Sequence, residues 1–142
     1  MTVDKIYSPL RGAPVERPLF TVSVSAGFPS PADDHVDRKL DLNEYLIQHP
    51  AATFFVRVSG DSMVGAGIHD GDLLVVDRAV EARDSSIVVA VLNGEFTVKR
   101  LKKQKSSISL IPENPNYKPI QITPDMTFEI WGTVTSVVQK LG

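Results

Sequence analysis

Cysteine is absent from the 142 residues, and only three histidines occur, His35, His49 and His69. The first absence excludes disulfides and thiolate zinc sites and fits a reducing compartment. The histidines are scattered without ligand spacing, so no metal site is expected and no cofactor is implied. Asp70, Asp72 and Asp77 lack the EF-hand pattern and read as residues that open and close a strand. Nowhere do about 18 apolar residues run uninterrupted, and the first dozen residues hold no apolar run of signal-peptide length. The expectation is a cytoplasmic protein without a membrane role. Positive charge is not in excess either: fifteen Lys and Arg face seventeen Asp and Glu, a formal net charge of -2. No global field draws such a chain to nucleic acid, and direct sequence-specific DNA binding is not expected.

What is present is a chain 42% hydrophobic and 23% charged, the length of one domain with a single core. Residues 1–34 carry Pro9, Pro14, Pro18, Pro29 and Pro31 with Gly12 and Gly27, and no helical periodicity. They read as an extended arm, in which residues 19–25 alternate well enough to lie as a strand. Asp41 followed by Glu44 makes a capping box, and Leu42, Tyr45 and Leu46 fall on one helical face until Pro50. From residue 53 the pattern is β. Residues 53–58, 72–77 and 86–92 are β-branched or aromatic runs, and Asn93-Gly94 joins the last to 95–101 as a tight hairpin. Further strands are expected at 107–111, 119–122 and 127–139. The fold class is mainly β: a small antiparallel domain with one short helix and an extended N-terminal arm.

Chemistry concentrates around Ser62, which lies in a segment with glycines at 60, 65, 67 and 71. A serine hydroxyl is a poor nucleophile at neutral pH without a base. His69 follows seven residues later with no acid obviously placed to orient it, which leaves a lysine. Lysine has an ordinary pKa near 10.4 and serves as a base only where desolvation lowers it, so the candidate belongs on a buried, rigid element. Lys99 lies in the strand 95–101. Alternation places Phe96, Val98 and Arg100 on one face and Thr97, Lys99 and Leu101 on the other. Periodicity alone does not choose between the faces; chemistry prefers Lys99, because arginine keeps its proton. The competing reading is that 99–105 is a solvated basic run or a phosphate contact, and on pattern alone that reading leads.

The order of these features shifts the balance. Ser59-Gly60-Asp61-Ser62-Met63, then residues 67–72, then Lys99 in its strand, strongly resemble the LexA/UmuD family of self-cleaving serine peptidases, with 99 - 62 = 37 residues between serine and lysine. Residues 25–31 are similar to the family's cleavage segment, where a small residue precedes glycine. The likeness runs from about residue 19 to 139 and is greatest for the UmuD and MucA branch. Only 26 proline-rich residues precede Gly27, too few for the helix-turn-helix of the repressor members.

The resemblance implies a β domain of the LexA/UmuD C-terminal type. It implies that residues 1–26 are an arm removed by self-cleavage and that 27–142 form the catalytic and dimerisation domain. Ser62 would be the nucleophile and Lys99 the general base and acid. The scissile bond would join Ala26 to Gly27, with backbone N–H groups of Asp61 and Ser62 as oxyanion donors. It further implies a homodimer, stimulated by RecA filaments on single-stranded DNA. The cleaved form would join a UmuC-type subunit in the error-prone translesion DNA polymerase V of the SOS response. Two alternatives stand beside this: a non-cleaving protein-binding regulatory module, and a nucleic-acid-binding β domain using the 99–105 cluster.

Overall fold

The computed structural model describes residues 1–9, 16–20 and 36–142. In chain order the elements are β1 (Thr2–Tyr7), β2 (Glu16–Phe20), β3 (Val36–Asp41), α1 (Leu42–Leu46), β4 (Thr53–Ser59), β5 (Leu73–Asp77), β6 (Ile87–Leu92), β7 (Glu95–Lys103), β8 (Ile108–Ile111), β9 (Ile120–Gln121) and β10 (Phe128–Val138). They fall into two compact units, one of Met1–Pro9 with His49–Gly142 and one of Leu10–Gln48.

In the larger unit eight strands run in the order β1-β4-β5-β10-β6-β7-β8-β9, every neighbouring pair antiparallel. β1 also pairs with β7 through Thr2 and Thr97, which closes β1, β4, β5, β10, β6 and β7 into a ring. Closure leaves no free edge within that ring. β10 serves β5 and β6 at once, and register shifts at Ile130/Gly132 and Val134/Ser136 bend it to do so. The expected strands from residue 53 onward are all present, and Asn93, with φ 50, and Gly94, with φ 83, make the expected hairpin turn.

The apolar run in β6 is buried on both faces. Val89 belongs to one cluster with Met1, Val56, Val58, Met63, Ile68, Leu74, Val76 and Val98. Val88 and Ala90 belong to a second with Leu101 and Leu110, against which Ile120, Phe128 and Ile130 pack. A strand covered on both sides loses the polar alternation of a half-exposed one, so residues 87–92 are uniformly apolar.

The smaller unit contains the β2–β3 hairpin and α1. Asp41 caps the helix as expected, its carboxylate accepting from the Asn43 amide at 3.2 Å. The helix ends at Leu46, short of Pro50, where Ile47 turns extended, and the Gln48 amide side chain donates to the Tyr45 carbonyl left free at that end, at 3.1 Å. Two differences from the sequence reading concern the arm. Thr2–Tyr7, where no strand was expected, form β1, and the strand expected at 19–25 is seen as Glu16–Phe20, with 21–25 outside the described residues.

Candidate functional site

Ser62 sits in the turn leaving β4 and is fully buried. The turn begins at Gly60, whose φ of +100° is a conformation that side chains resist and whose amide donates to the Asp70 carboxylate at 2.8 Å. Its far side is held by residues 113–117. The Glu113 amide donates to the Ser62 carbonyl at 2.8 Å, and the Gly65 amide donates to the Glu113 carbonyl at 2.8 Å. Asn114 Nδ2 donates to the Asp61 carbonyl at 2.9 Å, and the Tyr117 hydroxyl donates to the Asp61 carboxylate. That hydrogen bond and the Asp61 charge raise the Tyr117 phenol above its ordinary pKa. A Cβ on Gly65 would lie 2.6 Å from the Glu113 carbonyl oxygen, so this close approach requires glycine.

Lys99 enters from the middle of β7, only 6% exposed. Its Nζ donates to Ser62 Oγ at 3.0 Å, to Thr97 Oγ1 at 3.0 Å and to the Val98 carbonyl at 3.1 Å. Thr97 lies two residues before Lys99 and so on the same strand face, as the alternation requires. Burial lowers the Lys99 pKa, opposed in part by its hydrogen bond to the chain's amino terminus. Arg100 projects elsewhere, pairing with the Glu113 carboxylate and donating to the Ser85 carbonyl. The basic run is therefore divided: Lys99 is withdrawn into the protein while Lys102 and Lys103 stay exposed.

One participant has no counterpart in the sequence reading. The Met1 amino group donates to Ser62 Oγ at 2.7 Å, and the Met1 carbonyl accepts from the Val98 amide at 3.2 Å and from Thr97 Oγ1 at 3.1 Å. Burial first, then the hydrogen bond to Lys99 and its charge, lower this amine to about 5. No local pattern announces it, since the placement depends on β1 pairing with the distant strand Thr53–Ser59. Thr97, by contrast, could be found from its spacing to Lys99.

Ser62 and Lys99, the two residues singled out for nucleophile and base, are thus within hydrogen-bond reach. Among the described residues the His69 ring is bonded to Gln139 Nε2 at 2.6 Å and not to Ser62. The Asp61 and Ser62 carbonyls are tied to Asn114 and Glu113, which orients the intervening peptide units. Ala26 and Gly27 lie outside the described residues. A neutral amine 3.0 Å from a buried hydroxyl can accept its proton, so the site has the parts needed to make an alkoxide-like nucleophile.

The Peptidase S24-like family matches residues 18–135. The chain is 51% identical over 123 residues to Protein SamA of Salmonella typhimurium, covering 87% of this chain and 85% of that protein. It is 50% identical over 119 residues to Protein MucA of Escherichia coli, covering 83% and 81%. A LexA repressor of Paracidovorax citrulli is 43% identical over 117 residues, covering 82% of this chain but 52% of the repressor. The chain therefore belongs to the Peptidase S24-like family, as a UmuD-like self-cleaving protein of the SOS response.

Proposed function

We propose that the chain is a serine endopeptidase acting on its own Ala26–Gly27 bond with Ser62 as nucleophile and Lys99 as base. The supporting observation is the buried 3.0 Å contact between Lys99 Nζ and Ser62 Oγ. Neutral Lys99 takes the hydroxyl proton as Ser62 Oγ attacks the Ala26 carbonyl carbon. The tetrahedral oxyanion is received by backbone N–H groups of Asp61 and Ser62, the Ser62 amide lying in the peptide unit whose carbonyl accepts from Asn114 Nδ2. On collapse the Ala26–Gly27 bond breaks, Lys99 returns its proton to the Gly27 amine, and an ester joins Ala26 to Ser62. Water, deprotonated by Lys99, hydrolyses the ester and restores the hydroxyl.

Small residues at 26 and 27 suit a backbone that must enter a narrow cleft in attack geometry. Residues 1–26 are then a removable arm and 27–142 the product. By its likeness to MucA, the product acts as a homodimer in the cytoplasm. It serves as accessory subunit to a UmuC-type polymerase in error-prone translesion polymerase V, with the RecA filament on single-stranded DNA as stimulator of cleavage. Incubating the purified protein with that filament should yield a fragment starting at Gly27, identified by mass spectrometry. Ser62→Ala should yield none; a fragment from that variant, or none from the wild type, overturns the mechanism. The protein-binding and nucleic-acid-binding alternatives have no comparable support, since Lys99 faces serine rather than solvent.

A further inference from the structure

A buried peptide N–H without an acceptor is costly, and Ser62 carries one. The residue is wholly buried, yet among the described residues its amide donates to no acceptor. That amide belongs to the peptide unit joining Asp61 to Ser62. No peptide bond among the described residues is cis, so the Asp61 carbonyl and the Ser62 N–H leave their common plane in opposite directions. Whatever fixes the carbonyl therefore aims the N–H.

Asn114 fixes it. Its Nδ2 donates to the Asp61 carbonyl at 2.9 Å, while its Oδ1 accepts from the Asn116 amide at 2.9 Å. The second bond settles the first: with the oxygen turned to the Asn116 N–H, the NH2 group must face Asp61. Among side chains of this length only a primary amide satisfies both. Its neighbour extends the hold, since the Glu113 amide donates to the Ser62 carbonyl at 2.8 Å. Two consecutive peptide units of the nucleophile turn are thus set by two consecutive residues of one segment. The same segment is anchored on the base strand, where Arg100, next to Lys99, donates to the Glu113 carboxylate.

We propose that Asn114 is a positioning residue for the oxyanion: it holds the Asp61–Ser62 peptide unit with its N–H turned towards the reacting carbonyl. The role rests on the reading of Ser62 as nucleophile given above. No proton passes through Asn114. When Ser62 Oγ adds to the scissile carbonyl carbon, the π electron pair of that carbonyl moves onto its oxygen. The charge then meets an N–H already aimed at it, so no dipole has to reorient during the reaction. Without the Asn114 donor the Asp61 carbonyl is free to turn, and the N–H spends part of its time pointing elsewhere.

Two variants separate the donor from the loop that carries it. Asn114→Asp keeps an oxygen for the Asn116 amide but sets a second acceptor against the Asp61 carbonyl. Asn114→Ala removes both bonds and adds no charge. Formation of the Gly27 fragment is followed across a pH series in the full chain and both variants, well below each melting temperature. Both variants should cleave at least about tenfold more slowly at every pH. The inflection of the pH profile should stay where the wild type has it, because Lys99 remains buried. A merely structural role would loosen the cover over Lys99, admit water and move the inflection to higher pH. Variant rates within about threefold of the wild type, or an inflection that moves with the rate, overturn the assignment. Should Asn114→Asp fail to fold, Asn114→Ala decides by the same two readouts. A wild type that yields no Gly27 fragment overturns the peptidase reading and this role with it; a cleaving wild type beside equally fast variants overturns the role alone.

Discussion

A lysine that has lost most of its water is a different acid from one at the surface, and Lys99 owes its proposed chemistry to that loss. Its folded-state pKa is lowered from the usual 10.5, chiefly by burial. The folded state therefore binds fewer protons than the unfolded one between the lowered value and 10.5. Stability attributable to this group rises with pH through that window and is complete above it. Two results follow for Lys99→Met. Self-cleavage should fall by at least roughly 10³-fold, since the base is gone. Its melting temperature should exceed that of the wild type at pH 7, and the gain should shrink as the pH rises to and past 10.5, where the wild-type amine is neutral folded or unfolded. In the wild type, cleavage below the lowered pKa should gain about tenfold per pH unit as the neutral fraction grows. A flat profile would remove Lys99 as the base. Both residues were legible as candidates, because glycines flank Ser62 and chemistry prefers Lys99 to Arg100 where alternation alone does not choose between the faces. Their 3.0 Å contact was not, as it joins positions 37 apart.

Strands β4 to β10 were legible because period, β-branching and the Asn93-Gly94 turn all act within a few residues. β1 was not. Thr2–Tyr7 has mixed polarity and is mostly exposed, so only its partners β4 and β7 make it a strand. The clamp at 113–117 was equally hidden, since Asn114, Pro115 and Asn116 are turn formers whose partners lie far away in sequence. Its importance lies in joining the nucleophile turn to the base strand. Glu113 holds Ser62 and Gly65 through its backbone and Arg100, next to Lys99, through its carboxylate. Gly65→Ala forces a methyl against the Glu113 carbonyl oxygen and should cost about 1–3 kcal/mol of stability. Because the displaced backbone is that of the clamp, it should also slow cleavage in the surviving folded fraction, measured well below its melting point. In contrast Arg100→Ala, breaking a partly exposed pair, should cost no more than about 1 kcal/mol.

At the scale of the molecule, the ring is closed by a strand that belongs, in sequence, to the piece self-cleavage would discard. While residues 1–26 are attached, β1 is held beside its groove at an effective concentration set by the connecting chain. Breaking the 26–27 bond converts the same contacts into an association between two molecules, which dilution weakens. Size-exclusion chromatography of cleaved protein should accordingly recover the short fragment with the large one at high concentration and lose it on dilution. Uncleaved Ser62→Ala should elute unchanged. Loss of the fragment also turns a ring into an open sheet, exposing unpaired backbone on β4 and on the Thr97 stretch of β7. Unpaired edges recruit strands from other chains. A cut made for its chemistry would thus have a topological product: a new sheet edge, present only after cleavage, on which a second polypeptide can pair.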